Sequence, residues 1–207
     1  MVRRRRLTTS VGPDPESVPA GDGQTELSEE DRLGVVPSYI ATGGDLFDAE
    51  QRNITGALLR PTPSPTRLLD GKYLRELHHA MFGDVWNWAG SYRTMQTNIG
   101  VAPEEIATSV LDLVRDAQVW IQDGGDPPDE LSIRFHHRLV AIYPFLNGNG
   151  RHGCVAGDYP VMRLRQPRFS WGRDLGAGPD GIRTAYLSAL RTTDVGRFEE
   201  LLEFART

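Results

Sequence analysis

The chain has 207 residues, 39% hydrophobic and 25% charged, with a net charge of −5 and a single cysteine; this length suits one domain of ordinary size with a tail. The lone Cys154 excludes an intrachain disulfide framework and a multi-cysteine zinc site, and makes a reducing, cytoplasmic compartment the default. No run approaches the ~20 apolar residues of a membrane helix, no apolar stretch follows Arg3 to Arg6 as it would in a secretory leader, and the acidic balance argues against direct nucleic-acid binding.

Residues 1–32 combine the arginine cluster with Gly, Pro, Ser, Thr, Asp and Glu and hold almost nothing that could build a core, so they read as a disordered or loosely attached tail with a solvated, charged end. A domain over 33–207 follows. Asp45 to Leu59 predicts a first helix, stopped by Pro61-Thr62-Pro63-Ser64-Pro65, which cannot continue one. Leu69, Tyr73, Leu77 and Met81 recur at four-residue steps and predict a helix over 68–82. Ser91 to Val101 has no helical period and carries Asn98-Ile99-Gly100, which reads as a short β-hairpin or flap. From Pro103 to Gln122, the residues Ile106, Val110, Leu113, Val114, Ala117, Trp120 and Ile121 fall on one helical face, and Glu104 and Glu105 suit its positive end. Leu131, Phe135, Leu139 and Ile142 mark a helix starting near Asp129, and Ile182–Leu190 and Phe198–Phe204 complete the set. The expected fold is mainly α with one short β-hairpin flap.

The stretch with the most chemistry is Tyr143-Pro144-Phe145-Leu146-Asn147-Gly148-Asn149-Gly150-Arg151-His152, between two helical segments. Glycines on either side of an asparagine let the backbone turn its amides inward, and the free N–H groups of the next helix face the same spot. Together these make an anion hole suited to phosphate. Arg151 can pair with a phosphate oxygen, Asn147 offers a carbonyl oxygen to magnesium, and Phe145 would anchor the loop in the core. Asn-Gly-Asn-Gly alone is ordinary turn sequence; the helix–loop–helix context is what points to phosphate.

This string resembles the signature of Fic (Fido-fold) proteins, His-x-Phe-x-(Asp or Glu)-Gly-Asn-Gly-Arg-x-x-Arg. Phe82 to Arg93 with Thr97-Asn98-Ile99-Gly100 resembles the lead-in and target-docking flap of that family, and Phe135-His136-His137-Arg138-Leu139 the helix before its signature. Val35 to Ile54 and Arg168-Phe169-Ser170-Trp171-Gly172 resemble the branch called mobile mystery protein B. The resemblance implies a helical Fic/Fido-type domain that moves AMP from ATP, with magnesium, to a Ser, Thr or Tyr hydroxyl of a target protein. It implies that Gly148, Asn149, Gly150 and Arg151 hold the nucleotide phosphates, that Asn147 stands at the metal position, and that Thr97, Asn98, Ile99 and Gly100 hold the target segment as an added strand. A regulatory helix-turn-helix partner is suggested by the same branch.

The chain departs from the signature where its chemistry lies. Tyr143 stands at the position of the catalytic histidine, Asn147 at the acidic metal ligand and Cys154 at the second arginine. The histidine would take the proton of the attacking hydroxyl; a phenol, with a pKa of about 10 against about 6.5, holds its own proton at neutral pH. Loss of the second arginine removes a charge-assisted phosphate contact of roughly 1.5–3 kcal/mol. Gly153, Gly157 and Pro160 break up the helical pattern that follows, which reads as a weakened helix. These features imply impaired transfer, or a catalytically inactive nucleotide- or protein-binding module. His136 and His137 read as packing residues, and His152 is directed away from the loop. Cys154 reads as a small space-filling residue in preference to a low-pKa thiolate, and Trp86, Trp88 and Trp171 as core. Thr25 to Glu30 does not complete the family's inhibitory motif.

Overall fold

A computed structural model describes residues 33–60, 67, 69–194 and 196–207. The expected tail, its arginine cluster and Thr25 to Glu30 lie outside the described residues. Among the described residues seven α-helices are bounded: α1 (Gly43–Leu58), α2 (Gly71–Phe82), α3 (Ile106–Asp123), α4 (Pro128–Ile142), α5 (Asn149–Arg163), α6 (Pro179–Thr193) and α7 (Glu199–Arg206). The expected helices are all present, and their ends are set by local chemistry. Thr42 and Asp45 form a reciprocal capping box at the start of α1, Asp70 accepts the Lys72 amide at 3.0 Å to open α2, and prolines open α4 and α6. Gly124, at φ 62°, closes α3.

The antiparallel pair α4–α5 is the centre of the fold. On one side Phe135, Leu139, Ile142, Ala156 and Tyr159 join the core made by α1, α2 and α3; on the other, Ile133 and Val161 join Phe169, Ala189, Leu201 and Phe204 from the C-terminal segment. A helix with apolar contacts on both sides has little amphipathic contrast, which is why α5 is poorly marked in the sequence.

The expected weakening of α5 does not occur: the helix runs unbroken from Asn149 to Arg163 with Pro160 inside it. Its glycines are close-contact residues. A Cβ at Gly153 would lie 2.7 Å from Val140 Cγ2, and one at Gly157 3.0 Å from His136 Cβ, so both let α5 settle directly on α4. Beside Pro160, the Val161 amide donates to the buried Ser132 Oγ at 2.9 Å. Ser132→Ala is therefore expected to destabilise the protein by about 1–3 kcal/mol by removing a buried acceptor. Urea denaturation measures it.

The expected β-hairpin is the other difference. Residues 91–101 form bends and extended stretches with no ladder; an isolated antiparallel bridge joins Val35 to Trp86 outside this segment. The polar groups of the flap go to its own side chains and to the end of α4 instead of to a partner strand.

Candidate functional site

The site is the corner between α4 and α5. Tyr143 leaves α4 in the left-handed conformation, φ 54° and ψ 60°, and Pro144 forbids a return to helix. Phe145 then drops into the core, its ring stacked on His78 at 3.8 Å. Asn149 closes the loop upon itself: its Oδ1 accepts from the Phe145 amide at 3.0 Å, and its Nδ2 donates to the Phe145 carbonyl at 2.8 Å. His78 supports the loop from beneath. The Gly90 amide donates to His78 Nδ1 at 3.0 Å, so Nε2 carries the proton and gives it to the Asn147 carbonyl at 3.0 Å. Burial, reinforced by nearby His152, holds the His78 pKa well below the usual imidazole range and keeps this ring neutral.

Gly148, at φ 76°, lies against the Phe82 ring and leads directly into α5, whose N-terminus has no side-chain cap. The first-turn amides of α5 and the positive end of its dipole thus face the loop, an arrangement suited to phosphate. Arg151 stands beside it, its guanidinium 4.9 Å from the centre of the same Phe82 ring. That guanidinium is already paired: Nη1 donates to Glu50 Oε2 at 2.7 Å, while Glu50 Oε1 accepts from Trp86 Nε1 at 2.7 Å. Glu50 is only 4% exposed, so an incoming phosphate must share Arg151 with a fixed carboxylate.

Residues 68–160, which span α2 to most of α5 and include the whole corner, match the model of the Fic/DOC family. The corner thus lies within a segment similar to Fic domains. The chain is 25% identical over 193 residues to the protein adenylyltransferase fic-1 of Caenorhabditis briggsae, across 88% of this chain and 35% of the relative. The chain thus spans about a third of the length of the curated relatives it matches. Among solved structures it is similar to BepC of Bartonella tribocorum with bound AMPPNP, at a TM-score of 0.61 and 16% identity over 81% of this chain and 87% of that one. It is likewise similar to the N-terminal Fic domain of a Bartonella quintana VirB-translocated effector with bound ADP, at a TM-score of 0.62 and 15% identity over 82% and 86%. These structural likenesses establish the helical Fic fold.

Within this fold the residues singled out in the sequence separate into groups. Tyr143, Asn147, Gly148, Asn149, Gly150 and Arg151 share the corner. The flap comes to it as well: the Val101 amide donates to the Ile142 carbonyl at 3.3 Å, and Gly100 packs against Tyr143. Tyr143 is 1% exposed, and its phenol oxygen is buried and does not open onto solvent. Asn147 Oδ1 accepts from the next amide, Gly148, at 2.5 Å. Among the described residues no group of three or more His, Cys, Asp or Glu side chains is placed to hold a metal ion.

The remaining candidates are structural. His152 is buried and donates from Nε2 to the Leu74 carbonyl of α2 at 2.9 Å, its ring packed edge-on against the loop residue Phe145 at 5.1 Å. His136 lies between Trp171, at 4.6 Å, and Tyr186, and His137 pairs with Asp194 at 2.8 Å. Burial pushes the Cys154 thiol up, and Asp158 adds to the effect, which removes the thiolate reading. Trp86 and Trp88 pack 5.0 Å apart, and Trp171 donates to Asp158 at 3.1 Å. Sequence reasoning missed Glu50 and His78, and gave Arg93 no role. Glu50 meets Arg151 across 101 positions of sequence, and nothing in a helical pattern announces that pairing.

Proposed function

We propose that this Fic domain is of the protein adenylyltransferase type, built to move AMP from ATP to a Ser, Thr or Tyr hydroxyl of a target protein, with its transfer step impaired at Tyr143 and Cys154. The observation that carries the reading is the uncapped start of α5 behind Gly148, with Arg151 at its edge. In such a transfer the hydroxyl oxygen bonds to the α-phosphorus, the bond to pyrophosphate breaks, and the hydroxyl proton passes to a base. A phenol of ordinary pKa, about 10, does not accept that proton at neutral pH. Asn147, whose Oδ1 accepts from the Gly148 amide and keeps a second lone pair, would hold magnesium together with the nucleotide phosphates, and the metal would there offset phosphate charge. A second reading, a catalytically inactive nucleotide- or protein-binding module, is favoured by the buried Tyr143 oxygen and by the Glu50–Arg151 pair. The 33–207 domain boundary, the mobile mystery protein B branch, a helix-turn-helix partner and a cytoplasmic setting belong to the same proposal and rest on sequence.

Incubation with α-labelled ATP, magnesium and cell lysate tests it, comparing the parent chain with a Tyr143→His, Cys154→Arg variant. The variant is expected to label protein at least ~100-fold more than the parent, the lower bound of a restored general base. Equal labelling by both would show that transfer is not impaired. If neither labels and calorimetry shows no ATP binding, the phosphate reading fails. Arg151→Ala is expected to weaken ATP binding roughly tenfold or more.

A further inference from the structure

We propose that Arg93 is a positioning residue that locks the 94–101 flap to the corner carrying residue 143, so that flap and corner behave as one body. The functional weight of this lock rests on the reading of the flap as the target-docking element; the lock itself is a matter of geometry. Arg93 is 2% exposed, and its guanidinium is spent on backbone carbonyls: Nε donates to Tyr143 O at 2.7 Å, Nη1 to Met95 O at 3.0 Å and Nη2 to Val101 O at 2.5 Å. Its own amide donates to Pro144 O at 2.9 Å. With Val101 N on Ile142 O, the consecutive carbonyls of Ile142, Tyr143 and Pro144 are all taken by the two roots of the flap. A cation is thus buried against the carbonyl end of α4, where the helix dipole favours it.

The second root has no slack. Gly100 has φ 93°, and a Cβ there would lie 2.6 Å from Tyr143 Cβ, 2.7 Å from Arg93 Nη2 and 3.0 Å from Ile142 O. The tip between the roots is closed by its own side chains, Gln96 Nε2 donating to Thr97 O at 3.0 Å and Thr97 Oγ1 to Ile99 O at 2.5 Å, while Met95 and Ile99 stay exposed. Among the hydrogen bonds of the described residues, those tying this segment to the body run through Arg93 and Val101. The left-handed conformation of Tyr143 needs neighbours that over-determine it, and Arg93 holds both its carbonyl and the next. One side chain therefore sets the distance between whatever docks on the flap and whatever occupies the corner.

Hydrogen–deuterium exchange on the full chain tests this with Arg93→Gln and Arg93→Lys. In Arg93→Gln, peptides covering 94–101 are expected to exchange at least ~10-fold faster while α3 and α5 keep their protection. Arg93→Lys is expected to recover part of the difference, because an ammonium donates to carbonyls without the planar fork. Gly100→Ala wedges the same joint from its other side and is expected to free the same segment. Exchange over 94–101 within about twofold of the parent in both Arg93→Gln and Gly100→Ala overturns the proposal. So does a loss of protection spread evenly over the molecule. ATP titration separates this result from the functional reading: Arg93→Gln is expected to leave nucleotide affinity within about threefold of the parent, since Arg93 touches none of Gly148 to Arg151. A parent that fails to bind ATP, with a flap still freed by Arg93→Gln, sinks the nucleotide reading and leaves the lock standing.

Discussion

Acidification from about pH 7 to about pH 4.5 is expected to lower the urea midpoint markedly, through imidazoles that the fold keeps neutral. His136 and His152 are fully buried, and burial pushes both down from 6.5 to about 4. A histidine lowered in the folded state binds fewer protons there than in the unfolded chain. Its contribution is present above pH 6.5 and is lost as the pH falls toward 4. A shift of this size corresponds to roughly 3 kcal/mol for each ring. His78, lowered well below its usual value, acts in the same direction. Asp158 opposes them. Burial raises its carboxyl from 3.8 to about 6, against the Phe169 amide and Trp171 indole that donate to its Oδ1 at 3.2 and 3.1 Å. A raised carboxyl binds more protons when folded, so acidification from pH 6 toward 4 returns stability, again roughly 3 kcal/mol. Three histidines against one carboxyl leave a net loss. Asp158→Asn keeps an acceptor for both donors and removes the buried charge, so it is expected to stabilise the protein at pH 7 and to make the fall toward pH 4.5 steeper. Urea midpoints that stay level between pH 7 and pH 5 in the parent would contradict this account.

Those same histidines show where sequence reading reaches its limit. The helices were legible because α3 repeats apolar residues at helical spacing and buries Ile106, Val110, Leu113, Val114 and Ala117 on one face. The corner was legible because Asn-Gly-Asn-Gly-Arg is a local string whose backbone demands can be read residue by residue. In α5 each reading depended on a partner elsewhere in the chain. Gly153 and Gly157 look like helix breakers until Val140 and His136 occupy the space that side chains would need. Pro160 looks like a stop until Ser132 takes the amide beside it. The flap was misread as a hairpin because its composition suits a strand, yet its hydrogen bonds go to the end of α4 through Arg93. Glu50 was invisible for the same reason: its partners, Arg151 and Trp86, lie on other elements. Long-range polar pairing leaves no periodic trace.

Gly148→Ala is expected to be among the most damaging single substitutions in the domain, although it adds one methyl group. The residue has φ 76° and ψ 8°, where a Cβ carries a conformational cost, and that Cβ would sit 2.6 and 2.7 Å from Phe82 Cζ and Cε2. The Phe82 ring has nowhere to go. It is 1% exposed and lies 4.8 Å from the His78 ring, which is itself fixed by Gly90 and Asn147. Left-handed strain and overpacking together are expected to cost roughly 2–5 kcal/mol. Gly56 supplies the internal comparison, since it sits inside α1 with open space around its Cβ position. Gly56→Ala is expected to stabilise by about 0.5–1 kcal/mol. The damage at Gly148 extends to ligand binding because Phe82 also supports the Arg151 guanidinium. Any shift of that ring moves both the turn that aims the α5 amides and the side chain beside them. ATP affinity is therefore expected to fall at least ~10-fold even under conditions where the variant stays folded. Pairing Gly148→Ala with Phe82→Leu checks the cause: relief of the clash should recover part of the lost stability, and a strictly additive double variant would show that Phe82 is not what the methyl group meets.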